Sequence, residues 1–311
     1  MPRLQLVVTA LALVAVLAGC SDDPTQPKAN QTRIVFTSAR VLNSEIWSMN
    51  ADGTDQRQLT STQDNSGSPS WSADGSTILF TRWWRVGSGV RSGVFRMKSD
   101  GSETTCLDSI PDAYYASPHE SPDGTKIVCE RSAPNGYREI WLMNADGSGA
   151  IDLTPADEQG ASPEWSPDGT RIIFSRGTWI GWRIYTMSPH GSDTLKVVET
   201  GIANSNQYQP SWSPDGASIV YVDDHGVQES TDFTWIDIAN ADGTNIRPLT
   251  PLTDGLRSEP CWSPDGHRIA YRDDIYPADI FSMNPDGSGV VNVSRYPGAH
   301  DINPDWGPAA R

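Results

Sequence analysis

A recurring aspartate in short glycine-containing turns is the first feature of this sequence that could do chemistry. It occurs in Ser-Pro-Asp-Gly, as at residues 166–169, and in Asn-Ala-Asp-Gly, as at residues 144–147. An Asp carboxylate beside other oxygen atoms could bind Ca²⁺, but these segments lack the further carboxylates and the distal Glu of a calcium loop. Asp-Gly is also what a tight turn needs, because Gly adopts positive φ without a Cβ clash. We therefore interpret the segments as turns and predict no metal site in them.

Histidine side chains offer a second possible chemistry, which is metal binding. The sequence has five histidines, and His119 occupies the same position in its repeat as Glu164 does in the next repeat. A shared metal site at His119 and Glu164 is one alternative. A metal site needs three or four converging ligands, however, and polar residues commonly line channels. We predict neither a metal nor any other cofactor.

Sequence motifs of enzymes are missing from this chain. It contains no Gly-x-Ser-x-Gly hydrolase elbow, no phosphate-binding loop followed by Lys-Ser/Thr, and no Cys-x-x-Cys pair. Cys129 stands where other repeats have Phe or Tyr, which predicts a small core residue. The sequence therefore predicts a protein that is not an enzyme.

One five-residue motif recurs along the chain and organises it. Trp-Ser-Pro-Asp-Gly begins at residues 165, 212 and 262, with a Trp-Ser-Ala-Asp-Gly form at residue 71 and a Glu-Ser-Pro-Asp-Gly form at residue 120. A truncated copy lies at residues 303–308. The spacing is roughly 44 to 50 residues, which is the period of propeller blades.

Each repeat has the pattern of a four-stranded antiparallel meander. A Trp strand precedes the Ser-Pro-Asp-Gly turn, and two further strands and an Asn-x-Asp-Gly turn lead to a short last strand. The strands are rich in Ile, Val and aromatic residues, which suit a pleated, half-buried surface. The first repeat, from Arg33, has no Trp strand, whereas the chain ends with an extra one around Trp306. We therefore predict an all-β, six-bladed β-propeller in residues 32–311, closed by the C-terminal strand joining the N-terminal blade.

The N-terminal segment resembles a bacterial lipoprotein signal. Arg3 precedes an apolar run that ends in Leu-Ala-Gly-Cys at Cys20, and the run is too short to span a bilayer comfortably. We predict a signal peptide at residues 1–19, lipidation of Cys20, and a flexible tether over residues 20–31. An ordinary signal peptide that happens to contain Cys is the alternative. By analogy with known sorting, Ser21 favours the periplasmic face of the outer membrane.

The chain is strongly acidic, with 39 Asp and Glu against 23 Lys and Arg and a formal net charge of -16. Binding to nucleic-acid phosphates needs basic surface, so we predict no nucleic-acid partner. Much of the acidity comes from the repeated turns. A well-solvated surface is therefore a simpler interpretation than an acidic binding patch.

Irregular connections on one face of the predicted ring form the candidate ligand-binding face. Alternate connections of a meander emerge at the same end, so both Asp-Gly turns share one face and the longer connections share the other. Exposed aromatics beside Arg mark binding surfaces, although some of these aromatics could instead pack between loops. The candidate residues are Arg82, Trp83, Trp84, Arg131, Tyr137, Arg176, Trp179, Trp182, Asp223, Asp224, Asp273, Asp274 and Tyr276.

Charge on this face is predicted to be polarised. We number the six predicted blades from the N-terminus. An Arg follows the second strand in blades two to four, whereas an Asp stands at the equivalent position in blades five and six. A channel mouth that is basic on one side and acidic on the other would orient a ligand with both charges, such as a peptide terminus. The alternative is that each charge pairs with a neighbouring loop.

The repeats resemble those of TolB-type propellers, which read Pro-x-Trp-Ser-Pro-Asp-Gly followed by an apolar strand and a later Asp-Gly turn. The resemblance covers residues 32–308 and implies the six-bladed fold, but propellers serve many roles. Departures include Glu120 in place of Trp and Ala73 in place of Pro. TolB also has an N-terminal α/β domain that engages Tol-Pal partners, and we expect no such domain between Cys20 and Thr32.

From these features we expect a monomeric, lipid-anchored and non-catalytic scaffold of the cell envelope that binds a protein or a peptide. One alternative is a carbohydrate-binding or carbohydrate-active propeller that uses the central channel. Another is a purely structural envelope protein.

Overall fold

The computed structural model describes residues 32–132, 136–154, 158–178, 181–202, 205–226, 233–252, 255–274 and 277–308. These residues form twenty-four β-strands and no helix. In chain order the strands are β1 (Arg33–Ser38), β2 (Glu45–Asn50), β3 (Arg57–Gln58), β4 (Asn65–Trp71), β5 (Thr77–Val86), β6 (Gly89–Lys98), β7 (Thr105–Pro111), β8 (Tyr114–Glu120), β9 (Lys126–Ser132), β10 (Arg138–Asn144), β11 (Ile151–Asp152), β12 (Gln159–Trp165), β13 (Ile172–Thr178), β14 (Gly181–Met187), β15 (Leu195–Lys196), β16 (Gln207–Trp212), β17 (Ser218–Asp223), β18 (Phe233–Asn240), β19 (Arg247–Pro248), β20 (Gly255–Trp262), β21 (Ile269–Asp273), β22 (Asp279–Met283), β23 (Val291–Asn292) and β24 (Asp301–Trp306).

The strands form six four-stranded antiparallel blades. Blades two to six each use four consecutive strands, from β4–β7 to β20–β23. Blade one is composite, with the strand order β24-β1-β2-β3. In it, Trp306 lies opposite Ile34 and Asp305 lies opposite Val35. The prediction that the C-terminal strand completes the N-terminal blade is confirmed.

Apolar clusters between adjacent blades join the six blades into a ring. Successive residues of β1 point to opposite faces of their sheet, so Val35 packs against Ile78 of blade two while Phe36 packs against Ile280 of blade six. Equivalent clusters lie at the other four junctions. The predicted core residue Cys129 is buried in the cluster between blades two and three. Stacking each blade on two neighbours leaves only short sheet edges exposed.

Both kinds of Asp-Gly turn are held by their own carboxylate. Asp168 accepts hydrogen bonds from Ser166 Oγ (2.6 Å) and from the backbone N of Thr170 (3.0 Å). These hydrogen bonds hold the pKa of Asp168 below its ordinary value. In the second kind, Asp146 accepts hydrogen bonds from the backbone N (2.9 Å) and the hydroxyl (2.7 Å) of Ser148. The carboxylates stabilise the turns themselves, which supports their interpretation as structural turns.

We call the face that carries the long, irregular connections the irregular face. At two places on it the strands depart from a plain meander. In blade two, β5 and β6 are each ten residues long and meet at a tight turn where Gly87 has a φ of 61°. Blades five and six are joined directly, because the start of β18 pairs in parallel with the start of β20 at Phe233–Gly255 and Thr234–Leu256. These additions extend the sheet only on the face that carries the irregular connections.

The first strand of every blade lines the central channel and carries a β-bulge. Its register with the second strand shifts in all six blades. Proline cannot donate a hydrogen bond to the ladder, and a bulge accommodates it. The residues that precede these prolines all have positive φ, and they are Ser68, Ser117, Ser162, Gln209, Glu259 and Asn303. Over the part of the chain that the structure describes, no helix is long and apolar enough to cross a membrane.

Candidate functional site

One side chain from each first strand contributes to a ring inside the central channel. The residue between the Pro and the Trp position supplies it, and the six members are Ser70, His119, Glu164, Ser211, Cys261 and Asp305. Four of these, including His119 and Asp305, line a narrow cavity of about 100 Å³. A cavity of this size has room for several water molecules.

Hydrogen bonds to the neighbouring blade hold the two carboxyl groups of this ring. Asp305 Oδ2 accepts from the backbone N of Trp71 (2.7 Å), and Glu164 Oε1 accepts from the backbone N of Trp212 (3.0 Å). Burial raises the pKa of Glu164 to about 8 and that of Asp305 to about 6. Burial also lowers the pKa of His119 to about 4. Near neutral pH the ring therefore carries the negative charge of Asp305, while Glu164 is protonated and His119 is neutral.

The alternative of a metal site at His119 and Glu164 requires a third converging ligand. Among the residues that the structure describes, the one group of three His, Cys, Asp or Glu side chains with ligand atoms within 4.8 Å of one another lies elsewhere, at Asp223, His225 and Asp237. Within that part of the chain, the channel ring therefore lacks a set of three close ligands.

Three cavities follow one another along the channel. The narrow cavity shares Glu164 and Asp305 with a cavity of about 330 Å³ at the turn face, which is the face that carries the Asp-Gly turns. It shares Ser162 and Gln209 with a cavity of about 380 Å³ on the irregular face, which we call the mouth cavity. Repeated Trp and Pro residues form much of the turn-face wall, whereas residues that differ from blade to blade form the mouth cavity. Specific recognition has most scope in the mouth cavity.

The mouth cavity combines aromatic rings with side chains of opposite charge. The ring centroids of Trp182 and Tyr208 are 6.1 Å apart. Burial raises the pKa of Tyr208 to about 12, so its hydroxyl remains a proton donor. Arg138 and Asp274 also line this cavity, and the Arg138 side chain is 53% exposed, with Nε 3.6 Å from a carboxylate oxygen of Glu130. This arrangement can bind a ligand that has an apolar part and charged ends.

The three predicted arginines stack within their own blades. The Cζ atoms of Arg82, Arg131 and Arg176 lie 4.8, 4.1 and 4.9 Å from aromatic ring centroids of the third strand. The aromatic partners are Phe95, Trp141 and Tyr185, respectively. Arg176 also forms an ion pair with Glu158. None of the three lines the mouth cavity.

The four predicted aspartates differ in their accessibility. Asp223 and Asp273 are buried, and Asp273 accepts a hydrogen bond from Nε of Arg257 (3.2 Å). Asp224 is half-buried. Asp274 alone of the four lines the mouth cavity.

The predicted aromatic residues are spread over the irregular face. Trp182 lines the mouth cavity, whereas Trp83 and Trp84 lie on the long hairpin of blade two and are half-buried. Tyr137 is 44% exposed. Three predicted residues lie outside the described part of the chain, namely Cys20, Trp179 and Tyr276.

Of the predicted residues, the structure thus brings Trp182 and Asp274 together in one cavity. Arg138 and Tyr208, which share that cavity, are absent from the predicted set. Arg138 is the first residue of β10, and Tyr208 lies near the start of β16. Both strands start at the irregular face. The meander topology that placed the loops on this face therefore also placed Arg138 and Tyr208 there. The role of the predicted residues in ligand binding stays a prediction.

The fold is similar to several solved structures. TolB from Acinetobacter baumannii superposes with a TM-score of 0.74 and 20% identity over 91% of this chain and 68% of that chain. Hydrazine synthase from Kuenenia stuttgartiensis gives a TM-score of 0.73 and 16% identity over 90% of this chain and 47% of that chain. Puromycin hydrolase gives a TM-score of 0.60 and 14% identity over 87% of this chain and 48% of that chain. Identities this low establish similarity of fold alone.

Comparisons of sequence, rather than of structure, identify the family of the chain. No curated protein matches the sequence. The profile of the TolB beta propeller domain matches residues 5–198, which is more than half of the chain. Together with the six-bladed fold, this match shows that the chain belongs to the TolB beta propeller family.

Proposed function

We propose that this chain is a non-catalytic lipoprotein of the bacterial cell envelope whose propeller binds a protein or a peptide at the mouth cavity. The mouth cavity carries the proposal, because it combines an aromatic pair with a half-exposed Arg138 and with Asp274. A peptide offers the matching features, namely an apolar side chain, a carboxylate and an amine or guanidinium. Arg138 would set the direction in which the segment binds, and a cationic group of the peptide would compete with Arg272, which lies 2.7 Å from Asp274.

Arg138 is the side chain best placed to capture a carboxylate. Its side chain is 53% exposed, and its Nε lies 3.6 Å from a carboxylate oxygen of Glu130, which is a long ion pair. The ion pair is long, and the buried Glu130 also accepts a hydrogen bond from the backbone N of Ser162 (3.2 Å), so Arg138 can exchange Glu130 for a ligand carboxylate. Trp182 and Tyr208 supply rigid aromatic surface beside it, and such surface is typical of interface anchors.

The N-terminal segment supports the proposed location. Cys20 at the end of an apolar run would receive the lipid, and residues 20–31 would hold the propeller away from the membrane surface. We place the anchor in the outer membrane, with the propeller on its periplasmic side. Membership of the TolB beta propeller family is consistent with a role in the envelope.

The proposal can be tested with a library of short synthetic peptides that carry either free or amidated C-termini. We expect the full chain to bind peptides with a free carboxylate and an aromatic or apolar residue next to it. Arg138→Glu should weaken this binding by tenfold or more, and raising the salt concentration should weaken binding to the wild type. Arg57→Glu is the matched control, because its side chain is 66% exposed on a fourth strand away from the mouth cavity.

The same experiment separates the alternatives. Equal loss of binding in Arg138→Glu and Arg57→Glu, or binding that ignores the C-terminal carboxylate, would contradict the proposed site. A parallel screen against oligosaccharides tests the carbohydrate alternative, since the Trp182–Tyr208 pair could also stack on sugar rings. Sugar binding that is lost in Trp182→Ala while peptides fail to bind would favour that alternative.

A further inference from the structure

Blade five differs from the other blades at one pair of positions on its second and third strands. In the other five blades, the third-strand residue at the equivalent position is aromatic, and these residues are Trp47, Phe95, Trp141, Tyr185 and Phe281. In blade five this residue is Asp237, which lies opposite Tyr221. Asp223 likewise takes the position that Arg occupies in blades two to four. Two carboxylates therefore stand where those three blades place a cation over an aromatic ring.

Asp223, Asp237 and His225 converge in space. One ligand atom from each lies within 4.8 Å of the others. Nε2 of His225 is 3.2 and 3.1 Å from the two carboxylate oxygens of Asp237. Ligand atoms bound at about 2.0–2.2 Å from a zinc ion are about 2.8–3.6 Å apart in octahedral or tetrahedral geometry. The His225–Asp237 distances fall within this range, and the Asp223 carboxylate, which lies within 4.8 Å of both, would move closer to hold an ion.

The backbone around His225 holds the cluster in place. His225 has a φ of 47°, which is unusual for a residue other than Gly. In this conformation its backbone N donates to Asp223 Oδ1 (2.6 Å), which also accepts from Ser205 Oγ (2.6 Å). The imidazole packs edge-on against Trp235, with 5.2 Å between ring centroids. Hydrogen bonds of this kind orient metal ligands from the second coordination shell.

The two carboxylates are buried without a compensating cationic side chain. Asp223 is 0% exposed and Asp237 is 1% exposed. Within the described ranges, neither forms an ion pair with Arg or Lys, whereas the buried Asp301 pairs with Arg40 at 2.6 Å. Even a protonated His225 leaves one net negative charge on the three groups. Burial of an uncompensated charge is costly, and a divalent cation would neutralise both carboxylates.

Two buried polar atoms beside the cluster have no hydrogen-bond partner. The hydroxyl of Tyr221 is one, and its residue is 0% exposed. Tyr221 lies opposite Asp237 and two residues before Asp223, so all three side chains share one face of the blade. The other atom is Oε1 of Gln207, whose Nε2 lies 3.4 Å from Asp223 Oδ2. A bound ion or its water ligand would supply a partner for both atoms, which lie at the same carboxylate cluster.

We propose that Asp223, His225 and Asp237 form a binding site for one divalent first-row transition-metal ion, best matched by Zn²⁺. One imidazole nitrogen and two carboxylates are a ligand set that zinc accepts, whereas Ca²⁺ takes six to eight oxygen ligands. Three protein ligands leave a position for a water molecule, to which the Tyr221 hydroxyl can hydrogen-bond. The site lies within blade five, apart from the central channel, and does not depend on the proposed peptide binding.

The ion would stabilise the irregular end of blade five next to the mouth cavity. Asp224, which follows the ligand Asp223, accepts hydrogen bonds from the backbone N and the side-chain Nδ2 of Asn206 (2.6 and 2.7 Å). Oδ1 of Asn206 in turn accepts from the backbone N of Trp182 (2.9 Å). Fixing the end of β17 would therefore also fix one aromatic wall of the mouth cavity.

The site can be tested by titrating Zn²⁺ into the metal-stripped full chain, with isothermal calorimetry and thermal unfolding as readouts. The exposed Cys106 is replaced by Ser in every sample, so that its thiol does not bind zinc. We expect one ion per chain and a rise in the unfolding temperature with Zn²⁺. Asp237→Asn and His225→Gln should each weaken binding by tenfold or more. Asp224→Asn is the matched control, because it removes the same charge from the adjacent residue, and it should bind Zn²⁺ like the wild type.

Other outcomes would overturn the proposal. They are the absence of zinc binding to the wild type, unchanged binding in Asp237→Asn, and loss of binding in Asp224→Asn to the same extent. If Asp237→Asn does not fold, His225→Gln decides by itself, since its side chain is only partly buried. Ca²⁺ binding as tight as that of Zn²⁺ would contradict the assignment to a transition metal.

Discussion

Blades two to four and blade five carry side chains of opposite charge at equivalent backbone positions. In blades two to four an Arg at the end of the second strand lies over an aromatic ring of the third strand, at 4.1 to 4.9 Å. In blade five the same two positions hold Asp223 and Asp237, and His225 joins them. The strand register is unchanged between these blades. The backbone thus sets where these side chains lie but not which chemistry they perform.

The two arrangements also differ in their contribution to stability. A cation over an aromatic ring stabilises a fold by about 0.5 to 2 kcal/mol and needs no further partner. Buried carboxylates destabilise unless a cation or a proton compensates them. Blades two to four are therefore complete within themselves, whereas the proposed ion would compensate the carboxylates of blade five.

Both kinds of blade depend on the closed ring, so breaking the ring should have the largest effect. Deleting residues 301–311 removes β24, which pairs with β1 and packs Trp306 into the cluster with blade six. We expect the free energy of unfolding to fall by more than about 4 kcal/mol, because an inner strand edge and two blade faces become exposed. Urea denaturation of the truncated and full chains measures this. The same unfolding midpoint in both would show that closure contributes nothing.

The central channel also holds carboxyl groups, here half-buried, and these should make the stability depend on pH. The pKa of Glu164 in the folded chain is about 8, above the value of about 4.3 expected when unfolded. The folded state therefore binds more protons between these values, and stability falls as pH rises through that window. Glu164→Gln removes the titration and keeps an acceptor for the Trp212 N–H. Its free energy of unfolding, relative to that of the wild type, should therefore rise by about 4 kcal/mol between pH 5 and pH 8.5.

Denaturation curves at several pH values test this, with Glu103→Gln as the control. The Glu103 side chain is 67% exposed, so this variant should follow the wild-type profile. Parallel profiles for Glu164→Gln and the wild type between pH 5 and pH 8.5 would contradict the assigned pKa.

Placing an aromatic residue at position 237 should make blade five as independent of a bound ion as the other blades. In the presence of a chelator, Asp237→Phe should raise the free energy of unfolding by about 1.5 kcal/mol, because it removes one buried carboxylate and adds apolar contact to Tyr221. With excess Zn²⁺ the order should reverse, since only the wild type binds the ion. Urea midpoints with EDTA and with Zn²⁺ provide the measurement. A lower midpoint for Asp237→Phe under both conditions would contradict the expected cost of the carboxylates.

Removing a single stacked cation should have the smallest effect. Arg131→Ala should lower the free energy of unfolding by about 1 kcal/mol, because the contact with the Trp141 ring at 4.1 Å is lost. Arg85→Ala serves as the control, since Arg85 is exposed. Equal urea midpoints for the two variants would show that the stack contributes no more than an exposed charge.

Much of the fold was predictable because its signals are local and repeated. The turn motif, the apolar strands and the period fix the four-stranded blade, and the missing first strand at Arg33 predicts the pairing with Trp306. The mouth cavity was only partly predictable. Trp182 and Asp274 were assigned from their loops, but Arg138 and Tyr208 lie within strands that the strand pattern alone explains. Their meeting depends on how four different blades are placed around one axis.

The sequence by itself determined the number of blades and their order, because these follow from residues close together in the chain and repeated six times. It also predicted closure, because the first repeat lacks a strand that the end of the chain supplies. Only the tertiary structure decided which side chains meet. Asp223 and Asp237 are fourteen residues apart, and their contact depends on the hairpin register between β17 and β18. Burial likewise depends on the neighbouring blade, which turns Glu164 from an ordinary acid into one with a pKa of about 8. Composition shows that a charge is present, but its surroundings determine whether it lies over a ring, pairs with a cation or needs an ion.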